Sequence, residues 1–369
     1  MNKKAPKETT SDIARISLIA GDNFFDIAQV KAEGREENQI KAIEAYKRSL
    51  SFYTFKDHPY DYATTQNNLG NAYGNLAGVR DKEKNLGLAI DAYREALRVY
   101  TFEAFPTYYA GTQNNLGAAY QSLAGVRDTE KNLGLAIDAY NEALRVYTLE
   151  AFPTYYAATQ NNLGNAYSNL TCVKDKEKNL AEALKAFNEA LKVRTLESSP
   201  LDYAMTQNNL GNAYGNLAGV RDKEKNLGLA IDAYRDALKV HTLEAFPTDY
   251  ATIQNNLGNA YKSFSSVRDP EKNLKLAIKA YNEALRVCTL EAFPVNYAET
   301  KFNVGLFYLD KAEMYAEKGD TARVKESLKE SEEAFTESLK VFKKENMKDL
   351  TERAEKMLAV VRNRLSQIK

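Results

Sequence analysis

Paired side-chain amides recur through this chain at a constant interval. The segment Gln66-Asn67-Asn68-Leu69-Gly70 returns at residues 113, 160, 207 and 254, and a worn copy, Lys301-Phe302-Asn303-Val304-Gly305, follows. Each start lies 47 residues after the last. A carboxamide does not titrate near neutral pH, so the chemistry open to it is hydrogen bonding, with donor and acceptor on one group. A row of such groups matches a ligand that presents N–H and C=O in turn, as a peptide backbone does. It equally suits asparagines that bond one another from repeat to repeat, and plain duplication of one segment would produce it with no function.

Other reactive groups are sparse. The two histidines, His58 and His241, occupy positions where other repeats carry Phe, or Tyr, Arg and Cys, which argues against general-base roles. The cysteines, Cys172 and Cys288, stand 116 residues apart and are expected as free thiols. Neither a Cys-x2-Cys pair nor two histidines on one helical face is present, and the glycines recur singly rather than in a phosphate-binding loop. The chain therefore reads as no enzyme, with no cofactor and no metal. Lys+Arg and Asp+Glu each total 50, so the net charge is zero, against the basic face that a nucleic-acid binder needs. Apolar runs fall short of the 18 or so residues of a membrane span, and the first residues, MNKKAPKETTSD, lack the apolar stretch of a signal peptide. A cytoplasmic location is expected.

The amides must be positioned by helices. Pro59, Pro106, Pro153, Pro200, Pro247 and Pro294 mark the period, each where proline opens a helix. Tyr62, Gln66, Leu69, Tyr73 and Leu76 then follow at alternating spacings of four and three. After a charged connection such as GVRDKEKN, a second apolar stripe runs through Leu86, Ala89, Ile90, Tyr93, Ala96, Leu97 and Tyr100. Asn85, Asn132, Asn179, Asn226 and Asn273 are expected to cap these second helices. A hairpin of this size cannot bury its apolar face alone, so neighbours must stack into a solenoid.

Leu69-Gly70-Asn71-Ala72-Tyr73, followed by Ala89, Tyr93 and Pro106, resembles the tetratricopeptide repeat pattern L-G-x2-Y, A-x3-F and P. The chain departs from it in having Gln66 in place of a large aromatic and a period of 47 rather than 34. The long units with paired asparagines resemble the kinesin-light-chain type. The wording EAFP, YA and TQNNLGNAY is similar to prokaryotic repeat proteins that accompany caspase-like peptidases or signalling ATPases. The resemblance implies an all-α, right-handed α-solenoid of about seven helical pairs with no strand. It also implies a protein or peptide partner, held in the concave groove lined by the first helices; a separate peptidase or ATPase chain is one such partner. The expected organisation is a disordered tail over residues 1–12, a solenoid over 13–345 with degenerate first and last units, and a capping helix over 346–369. The register of the first helix, within IARISLIAGDNFFDIAQ, is not evident.

With Tyr62 set at zero and 100° per residue, Thr64, Asn67, Asn68, Asn71, Gly74 and Asn75 point opposite the apolar stripe. Across five units this outward face has 30 positions, of which 17 are Asn and one, Lys262, is charged. Seventeen asparagines in place of alanine forgo about 10 kcal/mol of helix propensity. That cost marks Asn67, Asn68, Asn71, Asn114, Asn115, Asn161, Asn162, Asn165, Asn208, Asn209, Asn212, Asn255, Asn256, Asn259 and Asn303 as candidate peptide-binding residues. The competing reading is a self-associating scaffold whose asparagine ladder is internal to the stack. In the last unit Phe302, Leu306 and Leu309 take over the face, and the terminal helix is expected to cover them.

Overall fold

The computed structural model describes residues 10–30 and 33–368. Among them are fifteen α-helices and no strand. They form seven antiparallel hairpins: α1 (Thr10–Val30) with α2 (Arg35–Leu50), α3 (Pro59–Ala77) with α4 (Lys82–Leu97), α5 (Pro106–Ala124) with α6 (Thr129–Leu144), α7 (Pro153–Leu170) with α8 (Lys176–Leu191), α9 (Pro200–Ala218) with α10 (Lys223–Ala237), α11 (Pro247–Ser265) with α12 (Pro270–Leu285), and α13 (Pro294–Glu317) with α14 (Thr321–Lys344). A single helix, α15 (Lys348–Gln367), ends the chain. The hairpins fall into two compact units, Met1–Val193 and Arg194–Lys369. In the first, α2 packs on α3, α4 on α5 and α6 on α7; in the second, α10 packs on α11 and α12 on α13.

Each first helix from α3 to α13 opens with its proline at the first turn, preceded by a residue held near φ −140° to −155°. The second helices begin differently from the expectation. Five of them, α4 to α12, start after an aspartate in the left-handed region: Asp81, Asp128, Asp175, Asp222 and Asp269, at φ 42–48°. Asn85 and its equivalents lie inside the helix and cap nothing. The Asn85 amide donates to the Arg80 carbonyl oxygen at 2.8 Å, and Asn132, Asn179 and Asn226 repeat this at the same distance. The buried amide thereby ties the loop down from within, because the tight turn leaves that carbonyl without a helical partner.

The recurring helix-interior glycine exists for contact. A Cβ on Gly70 would stand 2.5 Å from the Tyr93 ring, and Gly117, Gly164, Gly211, Gly258 and Gly305 meet Tyr140, Phe187, Tyr234, Tyr281 and Phe335 in the same way. Gly21 meets Tyr46 likewise, which fixes the register that the degenerate first repeat concealed. α1 opens at Thr10, so residues 10–12 are helical rather than part of a disordered tail, while residues 1–9 of that expected tail lie outside the described residues. At the other end α13 and α14 reach 24 residues each, and Phe302 and Leu309 are buried with Phe335, Phe342, Ala354, Leu358 and Val361. α15 covers the apolar trio, with Leu306 half-buried and Arg353 over the Phe302 ring at 5.4 Å.

Candidate functional site

The asparagines lie on the first helices, where α1, α3, α5 and α7 of the first unit touch in succession, as do α9, α11 and α13 of the second. Most are half-buried; Asn161 is buried, against the outward-facing expectation, and Asn212 is exposed. Three positions in each repeat play distinct parts. The third asparagine, one residue after the packed glycine, answers the aromatic ring behind that glycine. The Tyr93, Tyr234 and Tyr281 hydroxyls donate to Oδ1 of Asn71, Asn212 and Asn259 at 2.7–2.8 Å. Asp22 does the same for Tyr46. Where Ala118 replaces this asparagine, the Tyr140 hydroxyl turns to Gln121, and behind Asn165 the ring is Phe187, which has no hydroxyl to satisfy. Burial raises the Tyr93, Tyr140 and Tyr234 phenols above their ordinary range, so they remain neutral donors.

The first and second asparagines build rungs between hairpins. Nδ2 of Asn162 donates to Oδ1 of Asn114 at 3.3 Å; Asn256 reaches Asn208 at 3.4 Å and Asn303 reaches Asn255 at 3.1 Å. Nearer the start, Asn115 donates to Asn71 and Asn68 to Asp22. Thr112 and Thr159 add hydroxyl bonds to Asn67 and Asn114. The Asn162, Asn256 and Asn303 rungs each use one N–H of the second amide and the oxygen of the first. Within α3 the Asn67 amide also donates to Oδ1 of Asn68 at 3.4 Å. Asn165 stands on α7 of the first unit and Asn209 on α9 of the second, both half-buried. From α3 to α11 the one charge on the stripe, Lys262, is paired with Asp310 of α13 at 3.3 Å.

Sequence reading assigned the tyrosines mainly to packing and missed an exposed group at the N-terminal end of this face. Tyr60, Tyr108 and Tyr155 are 40%, 49% and 57% exposed. Tyr108 stacks on Tyr100 and Tyr155 on Tyr147, each with ring centroids 5.0 Å apart. Tyr60 donates to the Tyr108 hydroxyl at 2.8 Å, and Thr64, within the asparagine stripe, bonds the Tyr100 hydroxyl at 2.6 Å. Burial pushes the Tyr100 phenol up to about 12. The missed signal was the repeat itself: Tyr108 and Tyr155 are one period apart on a helix side that needs no apolar residue.

On the opposite edge the charged connections form ion pairs from loop to loop: Arg80 with Glu36 and Arg127 with Glu83 at 2.9 Å, Arg268 with Glu224 at 3.3 Å, and Lys174 with Glu130. Among the described residues no cluster of His, Cys, Asp or Glu could hold a metal ion. His241 sits 5.3 Å from the Phe246 ring with its Nδ1 buried and unpartnered, an arrangement without the orienting group that a general base requires. Among those residues no helix is long and apolar enough to cross a membrane.

No family model matches the chain, and no curated protein does. Solved structures do. The C-terminal part of a TPR repeat-containing protein from Cytophaga hutchinsonii aligns with 86% of this chain and 93% of its own at 15% identity, with a TM-score of 0.51. The chain has the tetratricopeptide-repeat fold. Two further alignments are looser. BtubC from P. vanneervenii covers 70% of this chain and 91% of its own at 19% identity and TM-score 0.47. A Rap protein complexed with Competence and Sporulation Factor covers 96% and 100% at 13% identity and TM-score 0.47. Within the tetratricopeptide frame, the glycine of the L-G-x2-Y motif is the seat of the second helix's aromatic ring, and the asparagines occupy the side where first helices adjoin.

Proposed function

We propose that this tetratricopeptide chain is a non-catalytic interaction module that holds an extended segment of a cytoplasmic partner protein along the asparagine face. The observation that carries this reading is the amide row itself, mostly half-buried on adjoining first helices, with a donor and an acceptor on every side chain and no charge on its stripe from α3 to α7. The exposed Tyr60, Tyr108 and Tyr155 extend it, since tyrosine beside asparagine supplies rigid contact area with adaptable hydrogen bonding. First helices about 10 Å apart give the four of the first unit a row of roughly 30 Å, enough for about nine extended residues. Side-chain specificity would come from the tyrosine end, because backbone amides are common to every sequence. A separate effector chain, such as a peptidase or ATPase, is the kind of protein that could carry the segment.

A second reading has a specific observation behind it. The Asn–Asn rungs join successive hairpins, as a ladder internal to the stack would. Peptides selected from a random displayed library separate the two. For a selected peptide, Asn115→Ala with Asn162→Ala should lower affinity about fivefold per lost bond, at about 1 kcal/mol each. Tyr108→Ala with Tyr155→Ala should lower it further, and raising the salt should change affinity little, because the stripe from α3 to α7 carries no charge. Unchanged affinity with a melting temperature lowered by the asparagine changes would favour the internal ladder and defeat the peptide reading.

A further inference from the structure

With Gly21 aligned on Gly70, Ile16, Ala20, Phe24 and Ile27 of α1 correspond to Thr65, Leu69, Tyr73 and Leu76 of α3. In α3 those four positions are 0–6% exposed, because α2 lies across them. In α1 they remain apolar, yet Ile16 is 51% and Ile27 41% exposed, and Ala20 and Phe24 are half-covered. Ile16, Ala20 and Phe24, together with Ile13 and the α2 residues Lys41, Glu44 and Arg48, line a shallow cavity of about 390 Å³. The hairpin thus keeps the side chains of a buried interface on a surface that nothing in the described chain covers.

We propose that this face is covered by the same face of a second copy of the chain, in a closed two-fold dimer. Two features select that occupant. The charged rim carries both signs along one helix, with Lys41 paired to Glu37 at 2.5 Å and Glu44 and Arg48 beyond, so an antiparallel copy sets cation against carboxylate. The other end of the chain offers no complement. The outer side of α15 presents Glu352, Glu355, Lys356, Arg362 and Asn363, with Val360 the large apolar residue exposed there. Head-to-tail stacking would set isoleucines against charges, whereas a face-to-face pair is self-complementary and closes at two. A helix of 21 residues is about 30 Å long, and two helices side by side are about 20 Å wide, so each copy covers roughly 600 Å². That lies at the small end of specific interfaces.

Sedimentation equilibrium of the full chain from about 1 to 200 μM tests this, with circular dichroism confirming that each variant is folded. The wild type should fit a monomer–dimer equilibrium, and Ile16→Glu with Ile27→Glu should weaken it at least tenfold. Ile19→Glu, equally exposed but on another side of α1, and Val360→Glu on α15 should dimerise as the wild type does. A wild type that stays monomeric across the range would overturn the proposal and assign the face to a different protein. So would a dimer indifferent to Ile16→Glu with Ile27→Glu, loss of the dimer in Val360→Glu, or growth beyond two copies. Peptide binding by the asparagine face is not an input to this test.

Discussion

Alanine at Gly117 should destabilise the protein, although alanine is the better helix former by about 1 kcal/mol. An added Cβ would lie 2.7 Å from Cε1, 2.8 Å from Cδ1 and 3.0 Å from Cζ of Tyr140. Ordinary contact begins near 3.4 Å, so the ring must retreat by roughly half an ångström or more. Tyr140 is 1% exposed and has nowhere to go. Overpacking of this kind costs about 1–3 kcal/mol. Gly134, in the partner helix α6, isolates that cost, because a Cβ there meets nothing within 4 Å. Gly134→Ala should therefore stabilise by about 0.5–1 kcal/mol, and the difference between the two variants, free of the shared propensity gain, should be about 1–3 kcal/mol. Urea unfolding monitored by circular dichroism gives both numbers, provided that the slopes of the transitions agree, since repeat arrays can unfold in steps. If Gly117→Ala proves as stabilising as Gly134→Ala, the ring does not sit against the helix backbone and the account of the recurring glycine fails.

Asp128, at φ 47°, should reverse the usual helix ranking: Asp128→Gly should exceed Asp128→Ala in stability by about 1 kcal/mol, because the left-handed region penalises a Cβ. Thermal melts of the two variants decide it, and an alanine variant equal to the glycine one would refute the strain. A pH titration probes the buried phenols Tyr93, Tyr140 and Tyr234, whose folded-state affinity for the proton is raised by burial. Their contribution to stability is then complete below the ordinary phenol range near pH 10 and is lost as pH rises through and beyond it. Absorbance at 295 nm and helical dichroism, followed together from pH 8 to 12, should show these residues ionising only as the helices melt. Full ionisation near pH 10 with helix content intact would contradict it.

The period, the two helices per unit and the pairing of units were legible in the sequence because proline, glycine and the 3.6-residue stripe act locally, and repetition multiplies each weak signal. The terminal helix and its apolar stripe could be read for the same reason. What resisted reading were decisions made by contacts between elements. Asn85 looked like a cap by its place after a charged loop, but the turn at Asp81 moved the helix start ahead of it and turned its amide toward the Arg80 carbonyl. The first repeat had lost its motif and kept only Gly21, whose meaning depends on the Tyr46 ring across the hairpin. Angular projection placed the asparagines away from the hairpin core. It could not say that Asn162 meets Asn114 of the neighbouring hairpin, or that Tyr93 claims Asn71 from behind. A helical wheel knows the direction of a side chain but not what stands there. Burial of one polar group next to another is a property of the packed stack, so the sequence determined the hairpins and their order, and the tertiary structure decided which amides are spent on the fold and which groups remain for a partner.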